Sequence, residues 1–279
     1  MKLSILTYNI HGLPWSKNNS ASIVLYISHI LPDVLCLQEV FTKTLSDFYV
    51  DQLSRLGYTV GVPRDSGVSV LGSGLLTAVL SSRFRVLSHC FYPYMSYYTI
   101  EIGANKGFHT LRLEDGEGRR ILVVNTHTQS STEFSGSDGA AIARKAQFTE
   151  LVRWLERDPD PVVLAGDMNC EYSPHPSVRF IRPEGLRKCT FPQTGEDLDH
   201  VAWIPTQWAP VGTHWCHFDK AGIRVAAYKV DPVKWSDHFP VFAEVLVPAS
   251  LFGSSSSKPS VVKLPSVVKL LTPVQGPCE

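Results

Sequence analysis

One stretch decides the fold, Val162-Val163-Leu164-Ala165-Gly166-Asp167-Met168-Asn169-Cys170. Its first four residues are small or aliphatic, which is the composition of a strand buried on both faces. The apolar run stops at Gly-Asp-x-Asn, so two polar side chains stand where the strand would meet solvent. An Asx turn uses the same residues, whereas ligands in layered α/β folds bind at strand ends. A ligand site predicts that other strands of the chain also end in polar residues, whereas a turn makes no such prediction.

Polar side chains also flank the other apolar strands that the sequence predicts. Residues 2–8 form a predicted strand that leads to Asn9, residues 33–37 are followed by Glu39, and residues 121–124 lead to His127. Two further predicted strands, within residues 197–204 and 235–247, begin with acid and imidazole, so they should run antiparallel to the others. The residues at these strand ends and starts are Asn9, Glu39, His127, Asp167, Asn169, Asp199, Asp237 and His238.

Helical segments are predicted between these strands. Apolar residues recur at helical spacing in residues 20–31, 42–56 and 140–156, and Pro32 and Gly57 stand where the first two helices would end. The chain has 279 residues, of which 44% are hydrophobic, and this suffices for one large core. The mixture of buried strands and amphipathic helices predicts an α/β or α+β fold.

The charge balance argues against a general affinity for polyanions. Lys plus Arg and Asp plus Glu both number 26, so the chain as a whole carries no net charge that attracts nucleic acid. A local basic patch is compatible with a neutral total, and Arg112, Arg119 and Arg120 are the best candidates for one. The six cysteines show neither a CxxC pair nor a zinc-ligand spacing, and nothing in them demands a disulfide.

The two ends of the chain bear on its location and its domain boundary. The N-terminus lacks the apolar core of a signal peptide, and no window approaches the roughly 18 apolar residues that span a bilayer. We therefore expect no signal peptide in this chain, no transmembrane segment, and a location that is cytoplasmic or peripheral on a membrane. Residues 1–248 form the predicted catalytic domain, and residues 249–279 form a predicted flexible tail rich in Ser and Pro.

The polar residues at the strand ends have the chemistry of a hydrolase that acts on phosphate esters. Carboxylates and an amide from separate strands can hold one hard divalent cation such as Mg²⁺, with positions left for phosphate oxygens and water. Two histidines and a spare aspartate supply a base, the acid that orients it, and a donor for developing negative charge. The chain has neither a GxSxG nucleophile elbow nor a glycine-rich P-loop. Direct attack by water is therefore the simplest scheme.

Six short motifs follow one another along the chain: Tyr8-Asn9-Ile10, Gln38-Glu39, Asn125-Thr126-His127, Gly166-Asp167-Met168-Asn169, Leu198-Asp199 and Ser236-Asp237-His238. In this order they resemble the endonuclease/exonuclease/phosphatase superfamily over residues 1 to about 247. The resemblance implies a four-layer αββα sandwich, in which two packed mixed β-sheets carry helices on their outer faces. It also implies one Mg²⁺-dependent site at the strand ends, where Mn²⁺ or another divalent cation could replace Mg²⁺.

Residue by residue, the resemblance implies how the cation and the attacking water are held. Glu39 would bind the metal with help from Asn9. Asp167 would orient the water or help to activate it, and Asn169 would contact the phosphate.

The resemblance also implies how protons and negative charge are handled. His238 would be the general base, held by Asp199, while Asp237 would support the metal and the loop that carries the histidine. His127 would stabilise the pentavalent phosphate or the leaving oxygen. The residue after Asp199 is His200, where the family usually has an aromatic residue such as Tyr, and this departure leaves the local packing open.

Fold does not fix the substrate, and three features favour the neutral sphingomyelinase branch of the superfamily. Residues 38–41 and 104–108 resemble that branch, and the aromatic residues within 91–98 together with the neutral charge suit a zwitterionic lipid. The resemblance then implies a sphingomyelin phosphodiesterase of the phospholipase C type, which releases ceramide and phosphocholine at a membrane surface. The alternatives are an endonuclease or exonuclease of the same fold, with nucleic acid as substrate, and a non-catalytic adaptor that retains the fold.

Overall fold

The computed structural model describes residues 1–17, 19–63, 71–131, 137–180, 189–204, 223–233 and 235–252. Most of the predicted tail, residues 253–279, lies outside these ranges, so the domain boundary at residue 248 stays a prediction. Directly after the last strand, Leu251 and Phe252 pack against the core between the two sheets.

The described residues form three α-helices and twelve strands. The helices are α1 (Ser20–Ile30), α2 (Lys43–Arg55) and α3 (Ser137–Leu155). The Thr42 side chain caps α2 by accepting a hydrogen bond from Leu45 N. Helix α3 begins before the predicted residue 140, with Asp138 in its first turn, where the helix dipole favours a negative charge.

The strands are β1 (Lys2–Asn9), β2 (Val34–Gln38), β3 (Tyr58–Gly61), β4 (Leu76–Leu80), β5 (Phe84–Pro93), β6 (Gly107–Asp115), β7 (Arg120–His127), β8 (Val162–Asp167), β9 (Arg179–Phe180), β10 (Asp199–Ile204), β11 (Arg224–Val230) and β12 (Val241–Leu246).

The strands form two six-stranded sheets, with the orders β11-β12-β1-β2-β4-β3 and β5-β6-β7-β8-β10-β9. The pairs β1–β2 and β7–β8 are parallel and the other neighbours are antiparallel, so both sheets are mixed. Helices α1 and α2 pack on the outer face of the first sheet, and α3 packs on the outer face of the second. The predicted four-layer αββα sandwich is therefore confirmed.

The strand directions bring the polar strand ends to one edge of the sandwich. Asn9 pairs with Gln38 at the ends of β1 and β2, and His127 pairs with Asp167 at the ends of β7 and β8. Strand β10 starts with Asp199 opposite Asp167, and β12 also runs antiparallel to its neighbour β1, as predicted. This common edge, where the strands β1, β2, β7 and β8 end, is called the site edge below.

Gly166 permits the close approach of β7 and β8 at the site edge. Its φ is 155°, and a Cβ atom there would lie 2.0 Å from Thr126 O. Any other residue would push the two strands apart. The glycine therefore lets the neighbouring residues His127 and Asp167 lie side by side.

The interface between the sheets is polar near the site edge. Asn125 on β7 accepts a hydrogen bond from Gln38 Nε2 on β2 at 2.8 Å, and Gln38 Nε2 also donates to Thr7 Oγ1 at 3.1 Å. Asn125 Nδ2 donates to Thr77 Oγ1, which in turn lies 3.0 Å from His109 Nδ1. All five side chains are buried, and together they are called the inter-sheet polar bridge.

Two sequence-based expectations concern cysteines and membrane spans. Of the cysteines in the described ranges, Cys36, Cys170 and Cys189 are free thiols, whereas Cys90 is disulfide-bonded, which the cysteine spacing did not indicate. Among the described helices, none is both long and apolar enough to cross a membrane.

Candidate active site

Asn9 connects carboxylates from the two sheets at the site edge. Its Nδ2 atom donates to Glu39 Oε1 and to Asp167 Oδ2, each at 2.9 Å, while its Oδ1 accepts from the His11 amide. Because one nitrogen contacts both acids, the two acceptor oxygens lie within about 6 Å of each other. Glu39 and Asp167 therefore face the same small space, and their oxygens would have to approach to about 4 Å for one Mg²⁺ to bind both.

Glu39 has the properties expected of a cation ligand. Its backbone adopts a φ of 61°, an unusual value for a non-glycine residue. Its second oxygen, Oε2, is buried and has no hydrogen-bond partner among the described residues. His11 Nδ1 lies 3.9 Å from Oε2. Burial raises the pKa of Glu39. A buried carboxylate oxygen without a donor fits a hard divalent cation, which would supply the missing positive charge.

His238 and Asp199 form a buried pair that faces the same carboxylates. His238 Nδ1 lies 2.7 Å from Asp199 Oδ2, and His238 Nε2 lies 3.7 Å from Asp167 Oδ2. Burial alone would lower the pKa of His238, but the charges of Asp199, Asp167 and Asp237 outweigh it and raise the pKa. The imidazole is therefore fixed through Nδ1, with Nε2 directed at the acids in the cleft.

A second assignment of the metal ligands is conceivable from distances alone. Asp167, Asp199 and His238 offer three ligand atoms that lie within 4.8 Å of one another. However, His238 and Asp199 already share a short hydrogen bond, whereas Glu39 Oε2 has no donor in the described residues. Glu39 Oε2 therefore fits a cation better than the His238–Asp199 pair does, whereas Asn9 directs Nδ2, which can only donate, at both carboxylates.

His127 lies beside a lysine that the sequence analysis missed. Lys106 Nζ is 3.3 Å from His127 Nε2, 2.9 Å from Glu101 Oε2 and 2.8 Å from Thr128 O. Burial lowers the pKa of His127 to about 3, and the Lys106 charge acts in the same direction, so the ring is neutral. Since a lysine ammonium can only donate, Nε2 accepts at this contact. Lys106 is thus the charged donor on this side of the cleft.

His11 is the other missed residue. Its Nδ1 atom lies 3.0 Å from Asp237 Oδ2, and this hydrogen bond, opposed by burial, raises the pKa of His11. Asp237 lies in the loop before β12, which Ser236 fastens to β1 by donating from Oγ to Asn9 O at 2.7 Å. A histidine at the end of a strand was a signal for His11, but its distance from Asp237 along the chain hid the pairing.

Asn169 fulfils both interpretations of the Gly-Asp-x-Asn motif. Its backbone N–H donates to Asp167 Oδ1 at 3.0 Å, which is an Asx turn, and its φ is 48°. Its side chain donates to Thr128 O at 3.1 Å and lines the cleft. The turn thus orients Asp167 and also brings an amide to the site.

His200 occupies its position as an aromatic residue would. Its ring stacks on Phe180 with centroids 4.0 Å apart and planes inclined by 18°. Its Nε2 atom lies 2.9 Å from Cys170 O and from Asp197 O. The aromatic packing that the family motif implies at this position is therefore kept by an imidazole ring.

Several of the residues described above line a cleft of about 610 Å³, among them Glu39, Lys106, His127, Asp167, Asn169, Asp237 and His238. Its floor is acidic, and Lys106 is the single Lys or Arg among the described residues that line it. The described part of its wall also contains large apolar side chains, namely Leu13, Trp15, Phe41, Leu71 and Phe191. The cleft thus combines a polar floor with an apolar wall.

The candidate basic patch is neutralised by ion pairs. Arg112 pairs with Asp158 at 2.7 Å and also contacts Asp160. Arg119 and Arg120 pair with acids of the same hairpin, Asp115 at 2.7 Å and Glu114 at 3.2 Å. The hairpin joins β6 to β7 at the edge opposite the site. These arginines therefore form no basic groove beside the cleft.

Solved structures share this fold at low sequence identity. Danio rerio TDP2 with a single-strand DNA product is 15% identical (TM-score 0.66; 88% of this chain and 99% of that chain covered). A mutant beta toxin from Staphylococcus aureus with bound magnesium ions is 17% identical (TM-score 0.63; 87% and 99% covered). Sphingomyelinase C from Streptomyces griseocarneus is 21% identical (TM-score 0.57; 88% and 99% covered). At these identities the likeness shows the fold alone.

The family is shown by the sequence itself. The comparison with curated proteins found no match. The model of the Endonuclease/Exonuclease/phosphatase family, whose members are phosphoester hydrolases, matches residues 6–238. That range includes the described residues from Asn9 to His238 that meet in the cleft. The chain belongs to the Endonuclease/Exonuclease/phosphatase family.

Proposed function

We propose that this protein is a divalent-cation-dependent phosphodiesterase that hydrolyses a phosphocholine lipid, most simply sphingomyelin, to ceramide and phosphocholine. The observation that carries the proposal is the composition of the cleft, where an acidic floor adjoins an apolar wall. Among the described residues that line the cleft, Lys106 is the one Lys or Arg. A phosphodiester between a choline group and a lipid needs these three properties together.

Glu39 would hold the cation, with Asp167 beside it, and Asn9 would join as a ligand by turning its amide so that Oδ1 takes the place of Nδ2. The unpartnered Glu39 Oε2 and the oxygen-rich ligand set support Mg²⁺, and Mn²⁺ would fit the same ligands. When bound, the cation supplies positive charge that stabilises the phosphoryl oxygens as negative charge develops. A beta toxin mutant of the same fold has bound magnesium ions, which supports the cation class.

His238 would take the proton of the attacking water. Asp199 fixes its Nδ1, so Nε2 faces Asp167 and the cleft, and a water between Nε2 and Asp167 would be oriented by both. The surrounding carboxylates raise the pKa of His238, and a divalent cation among them would act in the opposite direction. Water oxygen then bonds to phosphorus while the bond from phosphorus to the lipid oxygen breaks.

Lys106 would bind the phosphate on the other side, together with Asn169. Its three N–H groups contact Glu101, Thr128 O and His127, and the phosphate would replace the longest of these contacts, that to His127. His127 would share the negative charge that develops on the phosphate or on the leaving oxygen. Its neutral ring would donate from Nε2 in the other tautomer, once the phosphate takes over the contact with Lys106.

The charge distribution disfavours the nuclease alternative. A nucleic acid brings many phosphates, and its affinity depends on several basic contacts. In the described residues the acids Glu39, Glu101, Glu196, Asp167 and Asp237 line the cleft, against Lys106. Repulsion would therefore oppose a polyanion, whereas a choline group carries a positive charge that acids attract. An adaptor would need neither the His238–Asp199 pair nor the Glu39 oxygen without a donor.

The test is a side-by-side assay of the purified chain on sphingomyelin vesicles and on plasmid DNA, with Mg²⁺ or with EDTA. We expect phosphocholine release that EDTA abolishes and Mg²⁺ restores, and no nicking of the plasmid. Glu39→Gln should lose turnover because it removes the charged ligand, whereas the matched variant Glu117→Gln, in the hairpin at the opposite edge, should not. DNA cleavage without phosphocholine release would reject the lipid substrate, and activity in EDTA would reject the cation.

A further inference from the structure

Large apolar side chains are exposed mainly around the site edge. Trp15, Met95 and Tyr97 are 76%, 81% and 53% exposed, in loops that follow β1 and β5 at that edge. Tyr172, beyond β8, and Ile142, near the start of α3, are exposed on the same side. Isolated exposed apolar residues are common on soluble proteins, but their concentration at one edge indicates an interaction surface.

The backbone beneath Met95 and Tyr97 is held in place by α3 and β7. Met95 N donates to Glu150 Oε2 at 2.8 Å, and Gln147 Nε2 donates to Ser96 O at 2.7 Å. The next amide, that of Tyr98, donates to a glutamine beyond the end of β7 at 2.8 Å. The segment is thus ordered while its apolar side chains face water. A preordered surface loses little conformational entropy when it binds.

The exposed apolar loops are continuous with the cleft. Trp15 belongs to the cleft wall as well as to the exposed surface. On the other side, Glu101, Gly103 and Ala104, shortly after Tyr97, line the same cleft. A single flat partner that covers both loops would therefore also cover the opening of the cleft.

The charges around the opening identify the partner. The segment that carries Met95 and Tyr97, residues 91–105, contains no Lys or Arg. The segment that carries Trp15, residues 10–19, contains one such residue, Lys17. Binding to anionic lipids requires clustered basic residues, whereas Trp and Tyr favour the interfacial region of a bilayer. We propose that the site edge docks on an electrically neutral phosphocholine bilayer through Trp15, Met95 and Tyr97. This inference rests on the proposed lipid substrate and specifies how the protein approaches it.

The test measures flotation of the full chain with phosphatidylcholine vesicles in EDTA, so that no turnover interferes. The variants are Met95→Ser/Tyr97→Ser and Trp15→Ser, and the matched control is Leu25→Ser, which is 60% exposed on α1. We expect each lost side chain to weaken partition by about tenfold, while the control binds like the wild type. Binding should change little with added salt or added phosphatidylserine.

Two results would overturn the docking surface: variants that bind as tightly as the wild type, or binding that requires phosphatidylserine and disappears in salt. Thermal melting of each variant shows whether it is folded. Brominated lipid quenches the fluorescence of a tryptophan that enters the bilayer. If Trp15 docks as proposed, quenching should be stronger in the wild type than in Trp15→Phe, which differs from it in this one aromatic ring. Binding to phosphatidylcholine vesicles, together with no phosphocholine release from sphingomyelin vesicles in Mg²⁺, would retain this surface and reject sphingomyelin as substrate, so the two proposals fail separately.

Discussion

The interface between the two sheets has two unlike ends. Far from the site edge it is apolar, with buried residues that include Leu3, Val34, Leu113, Ile121 and Val245. Near the site edge it is the inter-sheet polar bridge, in which Gln38 and Asn125 connect β2 to β7. Apolar contacts hold two sheets together without fixing their positions tightly, whereas hydrogen bonds have preferred distances and angles.

The two ends therefore differ in what they contribute. The apolar end mainly stabilises the fold, whereas the polar end mainly fixes the relative position of the two sheets. Gln38 precedes Glu39, and Asn125 stands two residues before His127. The bridge thus sets the spacing between the sheet that carries Glu39 and the sheet that carries His127. A buried hydrogen bond adds little net stability but is costly to leave half made. We infer that the bridge serves the geometry of the site more than the stability of the fold.

The largest effect is expected from His238→Ala, which removes the proposed base and leaves both ends of the interface intact. Turnover should fall about 10²- to 10⁴-fold, the usual contribution of a positioned acid or base. The matched control His29→Ala, on the exposed face of α1, should retain wild-type turnover. Initial rates on the accepted substrate measure the effect. Equal rates for His238→Ala and wild type would remove His238 from the mechanism.

Leu113→Ala probes the apolar end. Leu113 is fully buried in the core between the sheets. Its truncation should lower the free energy of unfolding by about 2–5 kcal/mol, while turnover per folded molecule stays at the wild-type value. Urea unfolding and active-site-normalised rates measure the two quantities. A matching loss of turnover would contradict the division between the two ends.

Asn125→Leu probes the polar end. It leaves Gln38 Nε2 and the hydroxyl of Thr77 with fewer partners, so the free energy of unfolding should fall by about 1–3 kcal/mol. Unlike Leu113→Ala, it should also lower turnover, because the two sheets lose their fixed spacing at the site.

Gln38→Leu combined with Asn125→Leu completes a double-mutant cycle. The double variant should be less destabilised than the two single losses predict, by about 0.5–3 kcal/mol, because both partners are removed together. Additive losses would mean that the two side chains do not interact across the interface.

The stability of the polar end should also depend on pH. Burial lowers the pKa of His109 to about 3 from its ordinary value of 6.5. The unfolded chain therefore binds a proton as the pH falls through 6.5, while the folded chain does not. Stability from the neutral ring is complete above pH 6.5 and is lost as the pH falls toward 3. Between about pH 7 and about pH 5, the wild type should lose about 2 kcal/mol more than His109→Gln. Equal losses by calorimetry would contradict a neutral buried His109.

Much of this arrangement was predictable from sequence because it depends on strand ends. The apolar runs before Asn9, Glu39 and Asp167 indicate buried strands, and polar residues after them indicate the edge. The antiparallel direction of β10 and β12 followed from acids at their starts. The family and the four-layer fold are confirmed, whereas the chemical role of each site residue stays a prediction.

The remaining features depend on packing between distant segments. Lys106 falls within residues 104–108, but nothing in its neighbours indicates that it is buried beside His127. His11 and Asp237 meet only because the loop before β12 returns to the end of β1. Gln38 and Asn125 were recognised as motif residues, but their contact depends on how the two sheets are superposed, which no spacing along the chain expresses.

The cross-strand pair of Asp167 and Asp199 has a consequence for the resting protein. Two acids directly opposite each other on neighbouring strands repel, and here both are buried. His238, whose pKa these acids raise, supplies one compensating positive charge between them, and a bound cation would supply another. Part of the affinity for such a ligand would thus be measurable as added resistance to heat, even in a variant that has lost all chemistry.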